Sequence, residues 1–319
     1  MPCDPVAMPA PTASARRREW RSLQPVDVAA TWGTLRRGAG DPTWHSDGRA
    51  HWRGITTPDG SLTLRVAVQH AEARVVAHAW GATAAVESLL ERLPRMLGDD
   101  DDATGFVPGH PLLERAHRRR PGWRVPCTGL VLESLVPAVI EQKVTGQEAF
   151  GGWRRLVRRH GAPAPGPGAE LGLWVPPGVT RLRAMPSWEW LRLGVSPQRA
   201  DTVMRVLQVA ARLDELPGLD LVTARRRLLA VPGIGVWTAA ETAQRALGDP
   251  DAVSFGDYHV AKNIGWALTG QEVDDSGLAG LLAPWAGHRY RVQRLLELSG
   301  AFRPRHGPRM APRRHLPVR

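Results

Sequence analysis

The sequence predicts an α+β protein, with a small N-terminal antiparallel-sheet domain ahead of an all-α core. Three observations carry that expectation. Short strand-like runs crowd the region between Val26 and Leu97. From about residue 105 onward the apolar residues recur at helical spacing instead. Between the two stands an acidic run, Asp99 to Asp102, with the character of a loop. A chain of 319 residues has room for two such units, each with its own core.

Residues 1–22 are rich in Pro and Ala, end in Arg16, Arg17 and Arg18, and read as a flexible basic tail. Residues 23–104 form the predicted α+β domain. Its strand candidates are Trp44-His45, His51 to Ile55, Leu62 to Val68 and Ala73 to Trp80. The third alternates Leu62, Leu64, Val66 and Val68 on one face, after an Asp59-Gly60 turn. Thr83 to Leu97 then carries Val86, Leu89, Leu90, Leu93 and Leu97 at helical spacing. Residues 105–303 form the predicted all-α core. Leu130 to Gly161 reads as helical, with a stripe through Leu132, Leu135, Val136, Val139 and Ile140. Ala162 to Gly168 (APAPGPG) is a linker loop, and Trp188 to Leu193, Pro197 to Leu213 and Thr223 to Ala230 are further helices. Residues 304–319 are a basic, Pro-rich tail without periodicity.

The balance of 42 Lys+Arg against 31 Asp+Glu leaves a formal charge of +11, which points to a polyanionic partner, nucleic acid foremost. Lys143 and Lys262 are the only lysines, a preference for Arg that a GC-rich genome explains without explaining the net charge. Arg154, Arg155, Arg158 and Arg159 read equally well as a phosphate-facing patch or a solvated helix face. Two cysteines, Cys3 and Cys127, are too few for a four-cysteine iron–sulfur cluster, a Cys-rich zinc site or a disulfide framework. The N-terminus lacks the charge-then-apolar order of a signal peptide, and no apolar run approaches the ~20 residues that span a membrane. The expectation is a protein of the bacterial cytoplasm, associated with the nucleoid, with no membrane partner.

Leu228 to Ala239 carries the strongest local signal. A helix ends near Ala230. Pro232 blocks its continuation, having no backbone donor and restricting Val231 away from the α region. Gly233 and Gly235 permit a tight turn with positive φ, and a second helix starts at about Val236. Backbone N–H groups at that N-terminus suit a phosphate oxygen, a contact indifferent to base sequence. A bare Gly-x-Gly is more often a plain turn. Here Pro232, both glycines and both apolar flanks fall where a DNA-binding hairpin places them.

Gly248 and Pro250 stop the second helix, and Asp257 follows a short apolar loop, just ahead of another helix that runs to Trp266. Alone, Asp257 reads as an ordinary N-cap. At this distance behind the hairpin, a functional carboxylate is the better reading.

Residues 130 to 300 resemble the helix-hairpin-helix–Gly/Pro–Asp DNA glycosylase superfamily, and within it the 3-methyladenine DNA glycosylase II branch. Glu133 to Phe150 (ESLVPAVIEQKVTGQEAF) is similar to the family's helix–loop that enters the lesion gap. Val231 to Ala239 is similar to its hairpin, Asp257 in Gly256-Asp257-Tyr258-His259 to its catalytic aspartate, and Trp285 to Leu296 to its closing helix. The N-terminal α+β domain also fits that branch. The resemblance implies a monofunctional enzyme of base-excision repair. It would flip alkylated purines of the 3-methyladenine and 7-methylguanine type out of double-stranded DNA, cut the N-glycosidic bond and leave an abasic site, acting as a monomer.

Carried over residue by residue, the resemblance makes Asp257 catalytic and gives Trp237, Glu241 and Tyr258 to the base pocket. It gives Pro232, Gly233, Ile234, Gly235, Val236 and Thr238 to the DNA contact, with Gln142 and Lys143. It implies a Na+ or K+ ion on the main-chain carbonyls of Leu229, Val231 and Ile234, and no other cofactor. Trp237 stands where lyase members carry a Schiff-base lysine, which Lys143 and Lys262 do not match. Two departures bear on substrate. Glu241, where the branch often has an aromatic, would bond or attract a base, or be a solvated helix residue. Lys143, near the place of a bulky wedge, would plug the gap or meet a phosphate. A damage-binding protein without catalysis, or a glycosylase for uracil or for an oxidised or deaminated purine, are the competing readings.

Overall fold

The computed structural model describes residues 15–69, 71 and 73–304. Five antiparallel strands, Arg16–Arg21 (β1), Trp44–Ser46 (β2), His51–Thr57 (β3), Gly60–Gln69 (β4) and Arg74–Gly81 (β5), form one sheet in the order β1-β5-β4-β3-β2. The tight connection between β3 and β4 sets their register, with Thr57 opposite Gly60 and Ile55 opposite Leu62. A short helix, Val28–Trp32 (α1), and the long amphipathic helix Thr83–Met96 (α2) accompany the sheet. The apolar face of α2, through Val86, Leu89 and Leu93, packs in one cluster with Leu62, Leu64 and Val66 of β4. Each such buried aliphatic side chain stabilises the fold by about 1.5–3 kcal/mol.

Strand β1 corrects the expectation of a flexible tail over residues 1–22. It pairs along β5 from Arg16 opposite Ala79 to Arg21 opposite Arg74. Its composition misleads because it is an edge strand, where charged side chains stay in water while one side of the backbone pairs. Glu19 accepts from Arg74 across the ladder at 2.7 Å. Residues 1–14, and the basic tail expected beyond residue 304, lie outside the described residues.

The helical part follows as Pro111–Arg119 (α3), Val131–Ile140 (α4), Gly146–His160 (α5), Pro167–Glu170 (α6), Val179–Arg183 (α7), Ser187–Arg192 (α8), Pro197–Gln208 (α9), Ala210–Asp214 (α10), Leu221–Leu229 (α11), Val236–Thr242 (α12), Val260–Thr269 (α13), Asp275–Leu282 (α14) and Arg289–Ser299 (α15). These helices make two lobes. One core is built by α4, α5, α8, α9, α11 and α12; the other holds α3, α13, α14 and α15. None of the described helices is long and apolar enough to cross a membrane.

The core is not wholly α, and the expected linker loop is ordered. Ala162–Pro163 (β6) pairs with Trp174–Val175 (β7) in a small ribbon that folds back onto the sheet domain. The Trp174 N–H donates to the Pro42 carbonyl at 2.8 Å, and Ala164, Leu173 and Val175 pack with Trp52. Contacts with a distant part of the chain hold this ribbon, and local Pro/Gly content gives no sign of them. Two buried ion pairs also join the sheet domain to α4 and its end. Arg53 Nη2 meets Glu133 Oε1 at 2.6 Å, and Arg37 Nη1 meets Glu141 Oε1 at 2.8 Å.

Candidate active site

The helix expected from Leu130 to Gly161 is two helices. It breaks after Ile140 and restarts at a capping box, in which Thr145 Oγ1 accepts from the Glu148 N–H at 3.2 Å and Glu148 Oε2 accepts from the Thr145 N–H at 2.9 Å. Lys143, in the intervening loop, is exposed and holds a left-handed φ of +54°. Its neighbour Gln142 turns inward, where Nε2 donates to the Gly233 carbonyl at 3.0 Å and to the Thr238 hydroxyl at 2.8 Å.

The hairpin lies where the sequence puts it, between α11 and α12, with Ala230 and Gly235 as its caps. Only one of its two glycines is left-handed. Gly233 has φ +95°, and a Cβ there would fall 2.5 Å from Thr202 Oγ1. Gly235 is extended, at φ −93° and ψ −179°, and a Cβ there would meet nothing. Its absent side chain keeps the surface bare and is not needed for the turn. Pro232, Gly233, Gly235 and Val236 face solvent, whereas Ile234 is buried in the core as an anchor. The first-turn N–H groups of α12 have no intrahelical acceptor and so present donors at that surface.

Two residues expected to contact the partner brace the hairpin. Thr238 is 2% exposed, its hydroxyl held by Gln142. The Gln142 amide nitrogen is committed to the hairpin. Three of the four α5 arginines have partners within the protein. Arg155 donates to the Leu193 carbonyl, Arg159 pairs with Glu189 at 2.8 Å, and Arg158 lies over Trp174. The three carbonyls expected to hold a monovalent ion keep lone pairs free. That of Val231 accepts once, from the Ile234 N–H at 3.0 Å, and those of Leu229 and Ile234 accept no bond in the turn.

Helix α12 runs on through a π-helical turn, Ala243–Leu247, and stops at Gly248, whose φ of +70° favours glycine. The next turn delivers Asp257. One of its oxygens, Oδ1, accepts from the His259 N–H at 2.7 Å and the Val260 N–H at 3.1 Å, so Asp257 does cap α13. It also lines a cleft of about 420 Å³ between the two lobes. The far wall of that cleft comes from the sheet domain, through Gly33, Thr34, Arg36 and Arg37.

The acids around the cleft are almost all neutralised by a guanidinium. Glu141 pairs with Arg37, Glu241 Oε2 with Arg245 Nη1 at 2.8 Å, and Glu297 Oε2 with Arg294 Nη1 at 2.9 Å. Among the described residues, Asp257 is the one cleft-lining carboxylate without such a partner, and its Oδ2 is unengaged.

The three residues expected in the base pocket fare differently. Glu241 lines the cleft, but it is neither solvated nor a free charge: Oε1 accepts from the Ser254 hydroxyl at 2.6 Å and Oε2 is paired with Arg245. Tyr258 is 68% exposed and outside the cleft, its ring covered by the Lys262 ammonium at 3.9 Å. Trp237 is half-buried beside Gly256 and does not line the cleft either.

Sequence reasoning missed the Gly33–Arg37 wall and the contribution of α15. The second left a signal. Tyr290, Gln293, Arg294 and Glu297 follow the i, i+3, i+4, i+7 spacing of one helix face, which is a polar stripe on a helix that is otherwise buried.

No protein-family model matches the chain. Two curated proteins of Mycobacterium tuberculosis, strains CDC 1551 and H37Rv, each named a probable bifunctional transcriptional activator/DNA repair enzyme AlkA, are 33% identical over 190 residues, covering 54% of this chain. The chain spans 36% of the length of those relatives. The solved 3-methyladenine DNA glycosylase from Archaeoglobus fulgidus superposes with a TM-score of 0.73 at 17% identity, over 88% of this chain and 97% of that one. The apo 8-oxoguanine glycosylase/lyase of Clostridium acetobutylicum gives 0.66 at 13%, over 90% and 98%. Over those 190 residues the chain is homologous to the AlkA relatives, and its overall fold is that of the two solved DNA glycosylases.

Proposed function

We propose that this chain is a monofunctional DNA glycosylase that hydrolyses the N-glycosidic bond of alkylated purines in double-stranded DNA. The observation that carries the reading is Asp257, the unpaired carboxylate in a cleft whose other acids are neutralised. The hairpin's bare turn and free first-turn amides would hold phosphates on either side of a flipped nucleotide. As the bond between C1′ and the base nitrogen breaks, its electron pair leaves with the base and positive charge develops on the sugar. An ionised Asp257 stabilises that charge and orients the water whose oxygen bonds to C1′. Its two bonds from backbone amides fix the carboxylate beforehand.

The substrate class follows from what is left over. Asp257 must be ionised for this role, so no unpaired carboxylic acid remains in the cleft to protonate a leaving base. An alkylated purine is already cationic and leaves without one. The AlkA relatives are named as repair enzymes, which accords with this class. Neither Lys143 nor Lys262 lines the cleft, so among the described residues no lysine amine is placed for a Schiff base. The carbonyls of Leu229, Val231 and Ile234 would hold a Na+ or K+ ion through their free lone pairs and so stiffen the turn; a rise in melting temperature with K+ over a large organic cation would test it.

The test of function is release of methylpurines from methylated duplex DNA. Asp257→Asn is expected to abolish release while binding persists and, because the amide oxygen still accepts, to leave stability nearly unchanged. Asp257→Ala should lose the cap as well, about 1 kcal/mol. Wild-type release by the Asn variant would overturn the mechanism. Tight lesion binding by the wild type with no abasic product would establish a damage-binding protein instead.

A further inference from the structure

We infer that Ser254 is the positioning residue of Asp257: three buried side chains clamp it, and the turn that carries the carboxylate is anchored on it. This rests on the glycosylase reading above. It names a residue that serves the same reaction from behind the cleft, which Ser254 does not line.

The Ser254 hydroxyl is used to its limit. A serine Oγ has one proton to give and two lone pairs to offer. Ser254 Oγ donates to Glu241 Oε1 at 2.6 Å and accepts from Gln244 Nε2 at 2.8 Å and Gln293 Nε2 at 3.2 Å. Gln293 takes hold a second time, its Oε1 accepting from the Ser254 N–H at 3.1 Å. The Ser254 carbonyl accepts from the Asp257 N–H at 3.2 Å. Every polar group of the residue is therefore engaged, and Ser254 is 1% exposed. A fully satisfied buried network rigidifies what it holds, because hydrogen bonds fix direction as well as distance.

The clamp joins parts of the molecule that the reaction must keep in register. Glu241 and Gln244 lie on either side of the point where α12, the helix that starts at the hairpin, passes into its π-helical turn. Gln293 belongs to α15, in the other lobe. The chain crosses between the lobes here: Ala252 packs in the core around α12, and Val253 in the core around α15. Ser254 comes next. It ties the approach to Asp257 both to the helix that begins at the hairpin and to the opposite lobe.

From this peg the chain reaches Asp257 through a four-residue turn. The bond from the Asp257 N–H to the Ser254 carbonyl closes it, and Gly256 takes the left-handed φ, +85°, that a type II turn needs at its third residue. Asp275 Oδ2 accepts from the Gly256 N–H at 2.8 Å and steadies the outer side of the turn. The bonds to the carboxylate itself come from the start of α13. They orient it on that helix and do not set its distance from the hairpin. Ser254 supplies that distance, and a misplacement of about 1 Å at a reacting centre costs ~100-fold in rate.

The experiment measures single-turnover release of 7-methylguanine and 3-methyladenine at saturating enzyme, with affinity for abasic-site duplex DNA and a melting curve beside it. Three variants are compared with the wild-type chain. Ser254→Ala removes the hydroxyl, Gln293→Met removes only the α15 arm of the clamp, and Leu113→Ala empties a buried position in α3 as a control for destabilisation. At a temperature where each variant is folded, Ser254→Ala should slow release ~10–100-fold and Gln293→Met ~10-fold, with affinity unchanged. The loss should be equal for the two bases, because the carboxylate acts on the sugar that both share. Leu113→Ala should lower the melting temperature and keep the wild-type rate. If Ser254→Ala does not fold, Gln293→Met carries the test. Wild-type rates in the folded clamp variants overturn the inference and assign the clamp to stability alone. A loss confined to one base also overturns it and assigns these residues to base recognition. Either result leaves the glycosylase reading standing, whereas release of neither base by the wild type overturns that reading itself.

Discussion

Gln142 and Thr238 are joined across the junction of loop and hairpin, Nε2 donating to Oγ1 at 2.8 Å, and the same nitrogen reaches the Gly233 carbonyl at 3.0 Å. One side chain from the end of α4 thereby locks the loop that carries Lys143 to the turn that exposes the α12 amides.

Gln142→Ala removes both bonds and leaves the buried Thr238 hydroxyl with one partner fewer. The expected cost is about 1–3 kcal/mol in a urea melt. Amide exchange at 141–145 should quicken. Unaltered exchange there would mean that the loop is held by something else.

The two hairpin glycines should respond oppositely. Gly233→Ala forces a side chain into a left-handed backbone and against Thr202. About 1–2 kcal/mol of stability should be lost from the backbone alone. Gly235→Ala meets no neighbour and should leave stability within about 0.5 kcal/mol. It nevertheless puts a methyl group on the bare surface, so affinity for abasic-site DNA should fall while the melting curve does not. Equal stability losses would contradict the backbone described here.

Glu241 and Arg245 form a buried pair, with side chains 11% and 9% exposed. Glu241→Ala strands the guanidinium and should cost roughly 3–5 kcal/mol, whereas replacing both partners by apolar residues should cost much less. Loss of activity in a Glu241 variant therefore reports on folding, and a melt with the double variant distinguishes it from a direct role. A single-variant loss under about 1 kcal/mol would argue against a structural pair.

Stability should fall in acid through Asp251. Burial raises its carboxyl, but the bonds from Arg289, and those from the Arg289 and Gly287 amides, outweigh it and hold the group below its usual range. A depressed native value means that its stabilisation is present above the unfolded carboxylate range and is lost as pH falls through the native value. Asp251→Asn should flatten the acid limb of a stability–pH curve without changing the limb above neutrality. An identical acid limb would remove Asp251 as its source.

Much of this was legible in the sequence, for different reasons in different places. Helix α2 and the alternation along β4 follow from periodicity, because each packs one face on a single core. The hairpin follows from Pro232 and Gly233, whose backbone restrictions act locally. Asp257 follows from its distance behind that hairpin. Strand β1 and the β6–β7 ribbon were not legible, since both depend on pairing with residues far along the chain. Trp237 and Tyr258 have suitable chemistry for a base pocket, and neither lines the cleft. The pairing of Glu241 with Arg245 was one helical turn away in the sequence, yet nothing local says that both are buried. The Gly33–Arg37 wall has no signature, because only the docking of two domains makes it part of a cleft.

That docking has a mechanical consequence. Arg53–Glu133 and Arg37–Glu141 straddle the seam between the sheet domain and the end of α4, all four side chains at most 15% exposed. Prising the halves apart would strand buried charges, at roughly 3–5 kcal/mol for each pair broken. A protein so riveted meets its partner as a stiff mould. In the proposed reaction the duplex must then do the bending and unstacking. DNA already softened by damage would yield to the mould more readily than sound DNA, so some discrimination would arise from the compliance of the substrate before any base reaches the cleft.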